Sequence, residues 1–153
     1  MRAISGQVQY AARVTRPACI PQARPRLQSK RYGMRFERLV ARATGGVHGA
    51  WWKFCDREGE HYCQTDVLMA LGGTCYVLEC KLTDVEQAYT QLSRLYVPVL
   101  SRALSGPVGG IIVVRHLTRK SELSRVVPTL REAINMASSS FFPTLHWLGK
   151  GPI

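Results

Sequence analysis

Two carboxylates and an ammonium stand where a β-hairpin would bring them together. In "QTDVLMALGGTCYVLECKL", residues 64–82, the Gly72-Gly73 pair reads as a two-residue hairpin turn. Positions equidistant from that turn then face each other: Asp66 opposes Glu79, and Gln64 opposes Lys81. Side chains alternate along a strand, so Gln64, Asp66, Glu79 and Lys81 project from one face, and Val67, Met69, Leu78 and Cys80 from the other. Opposed Cβ atoms lie about 4.5–5.5 Å apart, where like charges are destabilising. Two carboxylates at that distance need a shared proton or a cation. A hard divalent ion such as Mg²⁺ takes one or two carboxylates, keeps several waters and binds substrate phosphate. Lys81 would then stabilise charge on that phosphate or position the attacking water. The plainer reading is an exposed polar hairpin end whose Lys81 neutralises both acids.

Other residue types with chemical potential are less well placed. Cys55, His61 and Cys63 invite a zinc reading, but their spacings match no common ligand pattern. Five irregularly spaced cysteines indicate free thiols in a reducing compartment rather than a disulfide framework. Trp51-Trp52 reads first as one core and one surface aromatic; a Trp on a basic surface could also stack a base. His48, His116 and His146 are isolated and read as structural histidines. No Walker loop or dinucleotide fingerprint is present.

The elements that must position the quartet follow from periodicity. Residues 1–30 carry Pro17, Pro21 and Pro25 and no sustained apolar period, and read as an extended, mobile arm. From Arg31 the pattern is helical: Phe36, Leu39, Val40 and Ala43 form a stripe, stopped by Gly45-Gly46. Residues 47–82 read as three strands joined by two hairpins, turning at residues 56–59 and 72–73. Residues 84–104 are helical, with Asp84 as N-cap, Gln87 three residues on, and Pro98 as a kink or interruption. "GGIIVVRHL" is a strand buried on both faces. Residues 120–137 read as an amphipathic helix interrupted near Pro128, and "TLHWLG" as a last edge strand. The order α-β-β-β-α-β gives a mixed α/β sandwich on a central sheet, with residues 31–153 as one domain.

Charge is uneven over the 153 residues. Of a net +11, residues 1–42 contribute +9, from ten basic residues and the single acid Glu37. A basic stretch ahead of a near-neutral domain suits a polyanion, nucleic acid first of all. A solubilising tail or an Arg-rich mitochondrial transit peptide are the alternatives. No apolar run approaches the roughly 20 residues of a membrane span, so no membrane partner is expected.

Asp66, followed thirteen residues later by Glu79-Cys80-Lys81, resembles the D…(D/E)-X-K signature of the PD-(D/E)XK nuclease superfamily. "RYGMRFERLV" is similar to that superfamily's first helix, whose Glu often joins the metal site and would here be Glu37. "QAYTQLSRLY" is similar to the glutamine-containing helix of its RecB-like and phage branches, with Gln87 and Gln91 on one face. The resemblance covers roughly residues 31–117. Two positions depart from the pattern: Thr65 stands where a Pro often precedes the Asp, and Gln91 to Tyr96 is one residue longer than the usual Q-x-x-x-Y, which leaves Tyr96 without an expected role.

The resemblance implies a restriction-endonuclease-like αβββαβ core and hydrolysis of DNA phosphodiesters with Mg²⁺, for which Mn²⁺ could substitute. It implies that Asp66 and Glu79 hold the ion with the Cys80 backbone carbonyl, and that Glu37 holds a second ion or its water. Lys81 would orient or activate the water, and Gln91 or Gln87 would position the substrate backbone. Arg31, Arg35 and Arg38, with Gln64 and Gln87, are the candidate nucleic-acid contacts. Without a separate specificity domain, a structure-selective enzyme is expected: a junction resolvase, which would be a homodimer, or a phage-type recombination or repair nuclease. The setting would be a bacterial or phage-infected cytoplasm, or a mitochondrion in a eukaryote. The iron–sulfur cluster of some RecB-like nucleases is not expected, since only Cys19 lies upstream and no Cys follows Cys80. The rival classes are a non-catalytic nucleic-acid-binding or virion-associated module on a degenerate nuclease fold, and a structural zinc protein.

Overall fold

The computed structural model describes residues 4–20, 28–119, 121 and 125–153. Its centre is a six-stranded mixed sheet flanked by helices, an α/β architecture. Around the glycine turn, β5 (Val67–Leu71) and β6 (Thr74–Lys81) pair antiparallel with Val67 opposite Leu78 and Leu71 opposite Thr74, the register expected from the sequence. Gly72 and Gly73 both take positive φ, 57° and 80°, as a tight turn of this hand requires. Beyond β6 the sheet continues in parallel: β7 (Val108–Val114) pairs with β6, β9 (Thr144–His146) with β7, and β8 (Val126–Val127) with β9. On the far side, β2 (Val47–His48) closes the sheet against β5.

Every residue of β7 is buried, as its unbroken apolar run predicts. Alternate residues feed two cores. Val77, Ile112 and Val114 face one, Leu78, Ile111 and Val113 the other. Helix α1 (Gln28–Thr44) covers the second face with Phe36, Val40 and Ala41. Ala43, placed in that stripe by periodicity, is exposed. The helix ends in a Schellman-type closure, with Gly45 at φ 66° and the Gly46 N–H donating to the Ala41 carbonyl at 3.0 Å. The first face is covered by one continuous helical segment: α2 (Val85–Gln91), a π-helical turn (Leu92–Tyr96) and α3 (Val97–Ala103). Asp84 caps it as expected, its Oδ1 accepting from the Gln87 N–H at 2.9 Å. Pro98 interrupts the regular helix without ending it. It has no N–H to offer the preceding turn, and the π-helical turn ends at Tyr96, two residues before it.

Four expectations are corrected. The middle strand of residues 47–82 is two strands: β4 (Gly59–Gln64) ends, the chain breaks direction at Thr65-Asp66, and β5 begins in the other sheet. Gln64 therefore opposes Trp51 of β3 (Trp51–Asp56) and not Lys81. The basic N-terminal segment is not an arm over residues 4–20: β1 (Tyr10–Val14) pairs antiparallel with β3, completing a separate sheet β1-β3-β4, while residues 21–27 lie outside the described residues. Val8 and Ala11 are buried with Trp52, Phe54 and Cys63, and Arg102 Nε donates to the Gln9 carbonyl at 3.0 Å. Apolar contact on one strand face thus outweighs the local disorder signal of the prolines. Third, of the helix expected over residues 120–137, residues 120 and 122–124 lie outside the described residues, Val126–Val127 form β8 and the helix is α4 (Leu130–Met136), because Pro128 and the Thr129 cap restart the chain after β8. Fourth, β9 is paired on both sides, so β8 is the edge.

Candidate active site

The break at Thr65-Asp66 builds the site. Trp52 Nε1–H donates to Thr65 Oγ1 at 3.3 Å, the Thr65 N–H to the Ala50 carbonyl at 3.0 Å, and the Gly49 N–H to the Asp66 carbonyl at 3.0 Å. The chain is pinned there as it leaves one sheet for the other. Asp66 thus sits one residue ahead of β5 with its carboxylate turned across to β6, where Oδ2 accepts the Cys80 N–H at 2.8 Å. In a strand the N–H and C=O of one residue point the same way, so the Cys80 carbonyl also points toward Asp66.

Glu79 and Lys81 project from one face of β6, opposite to the Cys80 side chain, and lie 2.9 Å apart at Oε1 and Nζ. Glu79 is 1% exposed, and its second oxygen, Oε2, has no partner among the described residues. Such an orphaned buried carboxylate oxygen carries a large desolvation cost unless a proton or cation meets it. Glu37 reaches the same region from α1, and His48 Nε2 stands 3.0 Å from its Oε2. The sequence reads His48 as an isolated structural histidine, whereas here it meets Glu37. Its signal was there in the residue's place just before the Gly49 turn, which puts it beside Val67 in the β2–β5 register.

Electrostatics tie the three acids together. Burial pushes Glu79 up to about 8, with Asp66 adding to it. Burial, then the Glu37 charge, pushes Asp66 up to about 7 against the Cys80 hydrogen bond. Burial, then Glu79, takes Glu37 to about 7. Burial pulls Lys81 down, but Glu79, Asp66 and Glu37 outweigh it and hold the ammonium above its ordinary value. The three acids thus favour the charged form of Lys81.

Gln91 and Gln87 are separated in role. Gln87 is exposed, whereas the Gln91 Oε1 is buried and unpartnered among the described residues. The π-helical turn changes the standing of Tyr96. A π turn takes up one residue more than an α turn, so a five-residue separation does the work of four. Tyr96 is fully buried, and its hydroxyl is driven well above its ordinary value by burial, then by Glu79 and Asp66. The extra residue is absorbed by the helix, and Tyr96 stands within electrostatic reach of the carboxylates.

The donor set fits a hard divalent ion: carboxylate oxygens, a main-chain carbonyl directed at them, and one orphaned buried oxygen. Among the described residues no three His, Cys, Asp or Glu side chains stand together as a ready-made cage; Glu37 is engaged by His48. Cys55 and Cys63 lie on opposite faces of their sheet, the latter 2% exposed, and His61 is held by Asp56 at 3.1 Å, so the zinc reading has no geometry behind it. Arg31, Arg35, Arg38 and Arg42 are all exposed and follow one line along α1 at spacings of four, three and four. Gln64 is turned back, donating from Nε2 to the Gly49 carbonyl at 3.1 Å. No described helix is long and apolar enough to cross a membrane. The chain matches no protein-family model, no curated protein and no solved structure.

Proposed function

We propose that this chain is a Mg²⁺-dependent nuclease of the PD-(D/E)XK type that hydrolyses DNA phosphodiester bonds. The observation that carries the reading is the hydrogen bond from the Cys80 N–H to Asp66. It brings Asp66, the buried Glu79 and the Cys80 carbonyl to one strand end beside Lys81. Asp66, Glu79 and the Cys80 carbonyl would hold the ion, with Glu37 as a further carboxylate at its edge. When bound, the ion would supply charge neutralisation of the phosphate and acidification of water.

The remaining work falls to the chain's own groups. Hydrolysis joins a water oxygen to phosphorus and releases one ester oxygen, and negative charge grows on the phosphoryl oxygens on the way. Lys81, kept protonated by its acidic neighbours, stabilises that charge and orients the water. The Glu79 Oε1 to Lys81 contact fixes the ammonium in place before substrate arrives. The arginine line of α1 would hold the phosphate backbone.

The test is cleavage in Mg²⁺ on single-stranded, duplex, flapped and four-way DNA. Asp66→Ala and Lys81→Ala are expected to lower cutting by at least about a thousandfold while DNA binding survives; full activity in both sinks the assignment. A second reading, a nucleic-acid-binding module that does not cut, is favoured by the absence of a preassembled three-ligand cage among the described residues. DNA binding with no cleavage of any of these substrates in Mg²⁺ or Mn²⁺ would establish it.

A further inference from the structure

The small sheet has a second face that the nuclease reading leaves unused. Ala11, Trp52, Phe54 and Cys63 point into the core, so the alternate residues of β1, β3 and β4 point outward. That outer face carries Tyr10, Trp51 and Tyr62, one aromatic per strand. Tyr10 is 54% exposed, and the other two are half-buried. Lys53 lies between them, opposite Tyr62 in the register. The Arg16 guanidinium sits over the Trp51 ring at 5.9 Å. A protein core has no use for three outward rings on adjacent strands, and an aromatic row among cations on a sheet is what unpaired bases stack on.

The face also has a direction. Trp51 opposes Gln64, and the next residues, Thr65 and Asp66, lead directly into the carboxylate site. At its other end Glu60 binds Lys53 at 2.9 Å and accepts from the Tyr62 hydroxyl at 3.2 Å, so an acid is built into that end, while the Arg16 guanidinium lies at the Trp51 end, nearest the site. The turn at Pro17–Ile20 borders the face, with Cys19 beside Tyr62.

We infer that the outer face of the β1-β3-β4 sheet is a stacking platform for single-stranded DNA, leading unpaired nucleotides toward Asp66. This deepens the proposed nuclease and rests on it for the choice of DNA. The charge complements a polyanion, and strands of six residues span roughly 20 Å, room for a few bases. The platform selects substrates with a single-stranded stretch next to the bond that is cut.

The experiment is done in EDTA, so that binding is read apart from cutting. Trp52 and Trp147 are buried, so Trp51 is the tryptophan that a bound base can quench. Oligo-dT is compared with an abasic oligonucleotide of equal length, which has the same phosphates and no bases. Oligo-dT is expected to quench the emission and to bind at least about tenfold tighter, stacking contributing roughly 1–3 kcal/mol per base. Trp51→Ala should abolish the difference, and Trp51→Phe should restore part of it, which separates lost stacking from a damaged sheet. Equal affinity for the two oligonucleotides overturns the proposal. So does emission that ignores oligo-dT, as when this face is covered by the chain itself or by a second copy. A protein that shows the stacking signal but cuts no DNA in Mg²⁺ overturns the nuclease reading alone.

Discussion

At the residue scale the question is why three acids are gathered where none can be fully solvated. Glu79 is the most costly, with one oxygen on Lys81 and the other without a hydrogen-bond partner among the described residues. The cost is visible as pH dependence of the metal-free protein. Glu37, Asp66 and Glu79 all have folded-state values raised above about 4, to about 7, 7 and 8. A carboxyl raised in the native state holds its proton better folded than unfolded. Its stabilisation is complete below the unfolded value and is lost as pH climbs through the folded value. His48, lowered by burial and then by Arg38, works in the opposite sense near its ordinary value, but it is one group against three. In EDTA the melting temperature should therefore fall between pH 5 and pH 8.5. A net tenfold difference in proton affinity between the folded and unfolded chain amounts to about 1.4 kcal/mol, or roughly 3–6 °C for a chain of this size. Thermal melts across that range check it. Glu79→Gln, which removes the buried ionisation, should flatten the slope; a stability that rises steadily to pH 8.5 would show that the cluster does not titrate in this way.

At the element scale the site depends on how close α1 comes to β5, and a glycine sets that distance. A Cβ on Gly46 would meet Val67 Cγ1 at 2.6 Å and the Leu68 carbonyl at 2.7 Å, immediately beside Asp66. Gly46→Ala should push the end of α1 off the sheet and cost on the order of 2 kcal/mol, as overpacking does. Gly33→Ala, in the same helix with nothing within 4 Å, should stabilise by about 0.5–1 kcal/mol. Denaturant melts of the two variants separate close packing from a general tolerance of the helix.

This scale also shows what sequence could carry. The β5–β6 register was legible because Gly72-Gly73 leaves few alternatives, and with it the nearness of the Asp66 carboxylate to Glu79, although Asp66 itself lies one residue ahead of the paired strand. The break at Thr65-Asp66 was not, because "YCQTDVLM" alternates as one strand would. What stops it is tertiary: the Trp52 and Ala50 bonds to Thr65. β1 was hidden for a related reason. Its burial amounts to Ala11 and the nearby Val8, too few residues to form a period, and its partner β3 lies some forty positions away in sequence. The π-helical turn left a trace, the one-residue excess between Gln91 and Tyr96, but spacing alone does not tell an excess absorbed by the helix from a residue turned away.

At the scale of the whole molecule, the +11 charge is arranged and not merely abundant. Arg31, Arg35, Arg38 and Arg42 run along one exposed line of α1, roughly 16 Å from first to last at 1.5 Å per residue. Like charges at such spacings weaken a helix by roughly 0.2–0.5 kcal/mol per pair. The first turn of α1 carries no acid to offset them, so the line is maintained against the helix's own preference. A phosphate backbone is the partner that would recover that loss, by releasing counterions as each arginine meets a phosphate. Each such contact contributes about −0.9 to the slope of log affinity against log salt on duplex DNA. Arg35→Ala with Arg38→Ala should therefore make the slope shallower by about 2, with affinity falling most at low salt. Oligo-dT stacking on the small sheet should keep its advantage over the abasic strand, because the two surfaces act through different physics. Salt titrations of wild type and double variant on duplex DNA decide it. An unchanged slope would move the phosphate contacts off α1, and the substrate path past Glu37 would have to be redrawn.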